Sequence, residues 1–401
     1  MKNQLLKVTA LSLIASSLAY AGGYKIPETS TNAVALSAAN VAHSLGADAA
    51  YSNPANMAFM GNNHEIEMDL MYVGLDATNF KGSGTMAGID IDAESESFLI
   101  PALNYVSPKL GNFRLGLSVA VPGGLTKRWE EAPAVESAEE FTLQVLEINP
   151  TLAYAINKQI SVAAGVRIIH SEGIVKSSST ASRDMIGESY DYGYNLALSY
   201  KPTSALEFGL TYRSNVDLSE EGNAELTIGN AVVYDGGSSV TVPLPALLNV
   251  AIAYTFETQT TVEFVYERNF WSAYDVLDFN YESNIPAILQ PSFDDPIPKD
   301  WEDTNVFRLG LTQELDEFTL MAGMVIDQTP VPDEKVSFEL PDSDSLSVSL
   351  GGRYQFTKSW NFGLGMLYSM RDEREVDNKD IQGEFSNSNV LIVSAGAGYR
   401  F

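Results

Sequence analysis

The sequence contains no cysteine among its 401 residues. This absence excludes a disulfide framework, thiolate metal ligands and a lipid anchor on cysteine. There are three histidines, His43, His64 and His170, and they form neither a Cys/His metal spacing nor an ordered pair of nucleophile and base. We therefore predict a protein that is not an enzyme and has no metal site or cofactor.

Long apolar runs and basic residues are also scarce. Beyond the N-terminus no run reaches eighteen apolar residues, which excludes membrane-spanning helices. The chain has 24 Lys and Arg against 52 Asp and Glu, a formal net charge of -28. Such a chain does not bind nucleic acid through its phosphates.

Residues 1–21 have the pattern of a secretory signal peptide. Lys2 and Lys7 provide a basic start, a mostly apolar core follows, and Ala19-Tyr20-Ala21 matches an A-x-A cleavage site. Cleavage there makes Gly22 the mature N-terminus. Export, acidity and the many strands described next predict the outer membrane of a Gram-negative cell.

After Gly61 the hydrophobic pattern has a period of two residues, which is typical of β-strands. Short turns and longer polar connections alternate strictly, so about fourteen strands are required, with both ends on the short-turn side. The short turns are predicted at Ser107–Asn112, Asn157–Gln159, Lys201–Ala205, Glu257–Gln259, Glu314–Glu317 and Thr357–Ser359. The long connections are predicted near 76–94, 122–140, 177–187, 220–238, 281–303, 330–342 and 374–387.

The apolar faces of these strands often end in aromatic residues. A soluble sandwich would also alternate, but aromatic ends are typical of the girdle of a membrane barrel. Strands can cross lipid only in a closed barrel, because every backbone group needs a partner there. We therefore predict an all-β fold, a transmembrane antiparallel β-barrel of about 14 strands over residues 62–401. The aromatic ends are Tyr212, Tyr254, Phe256, Phe356, Tyr399 and Phe401.

Residues 22–61 are rich in small residues and poor in charge. A barrel of about fourteen strands encloses more space than its side chains fill, so it is either open or plugged. We predict that this segment is an N-terminal plug, or hatch, in the lumen. A disordered leader is the other interpretation, but the low charge speaks against it.

Strand parity predicts several charged side chains inside the barrel. They either form salt bridges that hold its shape or include bases that bind an anionic head group through charge-assisted hydrogen bonds. The candidate ligand-binding bases are Arg114, Arg167, Arg213 and Arg308, and Arg353 is a further inward base. The inward acids are Glu67, Asp69, Glu147, Glu207, Glu263 and Glu267.

The predicted plug carries a family resemblance. GGYKI, beginning at Gly22, and the later YSNPANMAFM resemble the N-terminal hatch of the FadL-type outer-membrane transporters of long-chain fatty acids and other hydrophobic compounds. Asn53, Pro54 and Ala55 match that family's Asn-Pro-Ala motif. The resemblance covers essentially the whole mature chain and is sharpest at 307–311 and 327–356.

The resemblance implies passive uptake of hydrophobic molecules, ligand-triggered movement of the hatch, and lateral exit at a kinked third strand. Tyr24 and Ile26 match the family's N-terminal pocket contacts. The third strand is predicted at Phe113–Val121, with Gly116 inside it and Pro122-Gly123-Gly124 at its end. Proline removes a ladder donor and glycine removes packing, which favours broken pairing. An ordinary strand end entering a loop is the other interpretation.

Two features depart from the fatty-acid members of the family. Those members carry a long helical loop after strand five, where this chain has only Ser177–Gly187, and Glu172 stands where the family has a basic residue. The ligand can therefore be a carboxylate or an uncharged hydrocarbon. A polar-solute porin and a structural or adhesive barrel acting through acidic loops remain alternative functions.

The expected partners follow from this reading. They are a hydrophobic small molecule, the lipid and lipopolysaccharide of the outer membrane, and the barrel-assembly machinery. The last is expected because Phe401, at the end of an alternating strand, resembles an assembly signal. We expect a monomer.

Overall fold

The computed structural model describes residues 22–401, and the predicted signal peptide, residues 1–21, lies outside the described part. Over the described residues the chain forms a closed antiparallel barrel of fourteen strands, numbered β1 to β14 in chain order. These are β1 Glu65–Leu75, β2 Glu96–Val106, β3 Phe113–Ala120 continued by Gly124–Arg128, β4 Glu140–Ala155, β5 Ile160–Ser178, β6 Ala181–Tyr200, β7 Leu206–Arg213 continued by Val216–Ile228, β8 Ala231–Leu244 continued by Ala246–Thr255, β9 Thr260–Phe270, β10 Thr304–Glu314, β11 Phe318–Asp327, β12 Ser345–Gln355, β13 Trp360–Arg371 and β14 Val390–Arg400.

The barrel closes where β1 pairs with β14 along its whole length, from Glu65 opposite Arg400 to Leu75 opposite Val390. Beyond the strands, the backbone groups of His64 and Phe401 exchange hydrogen bonds of 3.0 and 3.1 Å. A closed barrel has no free edge, which is the condition for strands to cross lipid. The predicted fold class and strand number are confirmed.

Side chains alternate across the wall as the sequence predicts. On β1, Met68 is 62% exposed and Leu70 48% exposed, whereas Glu67 and Asp69 between and beside them are buried. The five predicted inward arginines and six predicted inward acids are all buried or nearly so. The six predicted short turns all connect neighbouring strands. Polar residues therefore face the lumen and apolar residues face the lipid.

Two of the predicted long connections are wrong. Residues 177–187 are mostly strand, because β5 and β6 stay paired up to Ser178 opposite Ser182. Residues 220–238 are likewise strand in β7 and β8, which meet at Ile228 opposite Ala231. Polarity suggested loops there, but a hairpin that rises above the lipid can be polar on both faces. The connection after β5 is thus even shorter than predicted.

The remaining connections on the long-loop side pack together over the barrel. Their aromatic residues include Phe80, Trp129, Phe338 and Phe385, which contact one another with ring centroids 4.9 to 6.4 Å apart. The small strands here are Asn79–Gly82, Asp90–Asp92, Arg374–Asp377 and Gln382–Ser386 in one sheet, Val276–Leu277 with Ile297–Pro298, and Phe279–Tyr281 beside β8. The short helices are Gly84–Met86, Val135–Ala138, Trp271–Ala273, Gln290–Phe293 and Asp333–Lys335.

The N-terminal segment, residues 22–61, contains three short helices, Thr31–Ala35, Ala49–Ser52 and the 3-10 helix Pro54–Phe59. Most of its residues are buried, and Gly61 at its end is exposed. Among the helices of residues 22–401, none has both the length and the apolar character needed to cross a membrane.

Candidate ligand-binding site

The N-terminal segment makes hydrogen bonds to the inner wall on all sides. The backbone N–H groups of residues 41–43 donate to the Glu263 carboxylate on β9 at 2.7, 2.7 and 3.0 Å. Across the barrel the Thr31 N–H donates to Asp69 on β1 at 3.0 Å. Further wall residues that bond to the segment are Arg114 on β3, Ser161 on β5, Ser199 on β6, Glu207 on β7, Arg308 on β10, and Ser349 and Arg353 on β12. Wall residues on eight strands therefore bond to the segment from different sides of the barrel.

Each residue of the Asn-Pro-Ala motif has a distinct physical role. The Asn53 side chain accepts the Ala55 N–H at 3.1 Å and so caps the helix Pro54–Phe59, a contribution of about 1 kcal/mol. Its amide donates to Val41 O at 2.8 Å and to the Ser199 hydroxyl at 3.0 Å. Pro54 occupies the first helical position, where no N–H is needed. Ala55 packs against small wall residues, Ala153, Ala163 and Ala197.

The first residues of the segment pair with the interruption of β3. The Ile26 N–H donates to Pro122 O, and the Gly124 N–H donates to Tyr24 O, both at 2.8 Å. A Cβ on Gly123 would lie 3.0 Å from Tyr24 O, so the missing side chain permits this close approach. The N-terminus thus supplies the partners that β3 lacks at this point.

Tyr24 projects into an aromatic cage built by the outer connection between β9 and β10. Its ring centroid lies 4.8 Å from that of Trp271, 6.3 Å from Tyr274 and 5.8 Å from Trp301, and its hydroxyl donates to Pro243 O. Burial raises the pKa of the Tyr274 phenol well above its ordinary value. A small cavity continues beside the cage and is lined by Leu125, Phe141, Leu143, Val242, Val331 and Leu340, with Lys299, Lys335 and Glu339 among its polar residues.

Ile26 belongs to a second apolar cluster, lower in the lumen. It is 2% exposed and packs in one cluster with Phe98 and Ile100 of β2 and with Val121. The remaining buried members are Val34, Met71, Val73, Leu75, Ala102, Leu367, Val390 and Ile392. The short N-terminal strand therefore separates an outer aromatic cage from an inner aliphatic cluster.

The aliphatic cluster adjoins a break in the barrel wall. Within the described residues, β2 and β3 are paired only from Leu103 opposite Val119 to Val106 opposite Gly116. Contact resumes in the same register with the isolated bridge between Ala93 and Trp129. The part of β2 from Glu96 to Ala102 therefore has no ladder partner on β3, and Phe98 and Ile100 line the inner side of this opening.

On its other side β3 carries one extra residue at the same height. Ala120 is opposite Glu147 on β4, and the ladder resumes with Gly124 opposite Gln144. Such a bulge bends the strand away from its neighbour. The predicted third strand therefore does not end at Val121 but continues after Pro122 and Gly123.

Gly116 does not lie at the break, since it is paired on both sides. A Cβ there would come within 2.6 Å of Met57 Sδ, so this glycine admits the N-terminal segment. Arg114, two residues earlier, donates to four backbone carbonyls and joins β3 to the end of the segment. These carbonyls belong to Ser107, Met57, Met60 and Asn63, at 2.7 to 3.1 Å.

The other three candidate arginines also have partners within the protein. Arg167 and Arg213 both pair with Glu147, and the Arg213 guanidinium lies 4.1 Å from the centre of the Tyr51 ring. Arg308 pairs with Glu267 at 3.3 Å and donates to Ser37 O at 3.0 Å. The structure thus brings Tyr24, Ile26, Pro122, Gly123 and Gly124 together and places the four arginines in contacts that hold the lumen together.

A second break lies between β6 and β7, where pairing stops at Asn195 opposite Arg213 and resumes at Glu188 opposite Glu221. It is bridged by polar groups. The Ser219 N–H donates to Asp191 at 3.3 Å, and the Tyr194 N–H donates to the Ser214 hydroxyl at 3.0 Å. The opening between β2 and β3 is crossed at its outer end by the ion pair of Arg128 with Glu96, at 2.6 Å, and below that pair it is lined by the apolar Phe98 and Ile100.

The aromatic cage was not predicted from the sequence. Trp271, Tyr274 and Trp301 lie in the polar connection between β9 and β10, outside the alternating strands, and only their position away from a membrane girdle could have indicated a role. Glu172, at the position where the family resemblance implies a basic residue, lies on the face of His170, 3.4 Å from its Nε2, and that face points outward. The acidic residue there does not line the lumen.

A closed fourteen-stranded barrel with apolar outer faces and a buried N-terminal segment defines an outer-membrane β-barrel protein. Residues 12–401 match the family model described as outer membrane protein transport protein (OMPP1/FadL/TodX). The chain belongs to this family.

Individual relatives are similar at low identity. The chain is 22% identical to outer membrane protein P1 of Haemophilus influenzae, over 91% of this chain and 89% of the relative. It is 21% identical to the long-chain fatty acid transport protein of Escherichia coli, over 98% and 97%. Among solved structures, a Pseudomonas aeruginosa FadL homologue matches with a TM-score of 0.82 at 19% identity, over 94% of this chain and 99% of that chain. The toluene transporter TbuX of Ralstonia pickettii matches with a TM-score of 0.71 at 18% identity, over 93% and 98%. At these identities the structures show a shared fold.

Proposed function

We propose that this protein mediates passive uptake of hydrophobic molecules, either long-chain fatty acids or hydrocarbons, across the outer membrane. The observation that carries the proposal is the apolar cluster of Ile26, Phe98, Ile100 and Val121 beside the open ladder between β2 and β3. Contact with such a surface removes a hydrophobic molecule from water and so lowers its free energy, and the surface leads to the lipid. The names of the relatives support the same ligand class.

We propose that residues 22–61 form the plug and that ligand binding shifts its first residues. Tyr24 lies in the outer cage, Ile26 lies in the inner cluster, and the backbone between them pairs with Pro122 and Gly124. A ligand in the cavity beside the cage contacts Tyr24, and it favours whichever arrangement of these residues binds it better. Release of this short strand connects the cage with the opening in the wall.

Lateral exit is favoured by the polar nature of the axial route. Towards the short turns, which face the periplasm in barrels of this class, the space between residues 45–47 and the wall is lined by Glu65, Glu67, Arg353 and Arg400. An apolar molecule loses hydrophobic stabilisation there. The same polar cleft is the feature that favours the alternative function, a polar-solute porin.

The assembly partners are part of the proposal. Phe401 is 58% exposed at the end of β14, where an assembly machinery can reach it. The exposed apolar belt suits contact with outer-membrane lipid, and acidic residues such as Asp372 and Glu373 lie in the connections above it, near lipopolysaccharide. We propose a monomer, since the barrel closes on itself.

The two functions differ in conductance and binding. For the purified protein in planar bilayers we expect no large steady conductance, because the plug fills the lumen. We also expect saturable binding of a long-chain fatty acid or of toluene in detergent solution. A large steady conductance together with no binding of either compound would support the porin. The structural or adhesive function would be supported if deletion of the acidic loops abolished attachment of the cells and left uptake unchanged.

A further inference from the structure

Gly22, the first described residue, lies against a carboxylate. A Cβ on Gly22 would be 2.7 Å from both carboxylate oxygens of Asp327, at the outer end of β11. The backbone nitrogen is two bonds from that position, so it lies within about 5 Å of the same oxygens. The next N–H, of Gly23, donates to Asp342 Oδ2 at 3.2 Å. Two acidic side chains therefore flank Gly22 and Gly23, the first two described residues.

Asp327 has fewer partners than its burial requires. Its side chain is 9% exposed, and among the described residues Oδ1 accepts no hydrogen bond. Oδ2 is 3.6 Å from Lys25 Nζ, which is held more closely by Glu267 at 2.5 Å. A buried carboxylate without sufficient compensation is costly. The position calls for another cation.

The charges around Asp327 do not balance. Arg308 pairs with Glu267 at 3.3 Å and with Glu28 at 3.9 Å, and Arg371 pairs with Asp342 at 3.4 Å. The next cation, Arg374, is paired with the exposed Asp333. Among the described residues, and apart from Arg374, which also donates to the backbone oxygen of Asp342, the buried cluster holds four acids against three bases. The acids are Glu28, Glu267, Asp327 and Asp342, and the bases are Lys25, Arg308 and Arg371.

We propose that the missing cation is the α-ammonium group of Gly22, created when the signal peptide is removed after Ala21, and that it pairs with Asp327. Hydrolysis adds one water across the Ala21–Gly22 peptide bond. The Ala21 carbonyl carbon takes the hydroxyl and becomes a carboxylate, while the Gly22 nitrogen becomes an amine that carries a proton at neutral pH. In the uncleaved chain this nitrogen is an uncharged amide and cannot supply the charge.

This pairing has a consequence for the ligand pocket. A Cβ on Gly23 would be 2.5 Å from the Trp271 ring, and both glycines have positive φ, +78° and +80°. The backbone here is therefore confined between the acid cluster and the aromatic cage that holds Tyr24. Processing would both free the N-terminus and anchor it beneath the cage. The inference does not depend on which ligand is carried.

The test is the reactivity of the α-amine in the full mature protein. The protein is purified folded in detergent, its N-terminus is read by intact mass and peptide sequencing, and an amine-acylating reagent is applied at neutral pH. We expect the chain to begin at Gly22. We expect its α-amine to be acylated at least tenfold more slowly in the folded protein than in urea, and Asp327→Asn to raise the folded rate several-fold.

Asp316→Asn is the matched control, because Asp316 lies exposed in the turn at the opposite end of β11 and should leave the rate unchanged. A mature N-terminus at another residue would overturn the proposal. So would equal acylation rates in the folded and unfolded wild type, a comparison that needs no variant to fold. A folded Asp327→Asn protein with the wild-type rate would also overturn it.

Discussion

A disulfide between positions 25 and 123 is expected to lower the rate of uptake at least tenfold, and a reductant is expected to restore it. Lys25 and Gly123 are opposite each other in the short ladder between the N-terminus and β3. The hydrogen bonds of their neighbours flank this pair, so it is a non-hydrogen-bonded pair with Cα atoms about 4.5 Å apart. That separation lies within the range of a disulfide.

The composition of the chain allows this disulfide to form without side reactions. Because the chain has no cysteine, Lys25→Cys with Gly123→Cys has no competing thiol. The disulfide holds the N-terminal strand on β3. If release of this strand connects the cage with the opening, the cross-linked protein cannot transport its ligand. Uptake of a labelled fatty acid or of toluene is measured in cells or proteoliposomes, oxidised and then reduced.

The same double variant under reducing conditions is the matched control, since it also lacks the ion pair of Lys25 with Glu267. Gly123→Cys alone, oxidised in parallel, controls for the tight site beside Leu244. Full uptake by a protein shown by mass to be completely cross-linked would mean that the N-terminal strand does not move during transport.

Tyr24→Ala is expected to weaken ligand binding about tenfold or more. The ring is packed against Trp271 and Trp301 and lines the cavity beside them, and burying an apolar side chain of this size against a partner contributes about 1.5–3 kcal/mol. Since about 1.4 kcal/mol is a factor of ten in affinity, losing even part of this contact should raise the dissociation constant measurably. The barrel itself is held by its strand ladders, so its unfolding temperature should change little.

Tyr24→Phe is the matched variant. It keeps the ring and removes only the hydroxyl that donates to Pro243 O, and we expect affinity within about threefold of wild type, since a typical hydrogen bond contributes about 1 kcal/mol. Binding is followed by the fluorescence of the cage tryptophans or by calorimetry. If a folded Tyr24→Ala protein bound the ligand with wild-type affinity, the cage would not be part of the binding site.

Much of the barrel could be predicted because alternation is written into single strands. Parity alone placed Arg114, Arg167 and Arg308 inside, and strict alternation of short and long connections gave the strand number. Polarity misled only where hairpins leave the lipid, as at 177–187, because there the two faces no longer meet different solvents.

The site was less predictable because it depends on pairing between distant segments. Pro122 and Gly123 signal a disturbed strand, but nothing in one strand's sequence says which neighbour it leaves or that Tyr24 and Ile26 replace that neighbour. The arginines were predicted to point inward. Whether Arg114 contacts a ligand or backbone carbonyls depends on the fold of residues 57–63, which provide three of its four acceptors. The three cage residues come from the single connection between β9 and β10, but the ring that they enclose, Tyr24, comes from the other end of the chain.

The path of the ligand tests the account most directly. Photo-cross-linking of a diazirine-bearing fatty acid and of a diazirine-bearing hydrocarbon to the purified protein, read by peptide mass spectrometry, locates each molecule along its route. The account predicts labels around Tyr24 in the cage and then at Phe98, Ile100 and Val121 beside the opening between β2 and β3. Labels confined to the polar cleft at residues 45–47, Glu65 and Arg400 would contradict it, because they would place the route along the barrel axis.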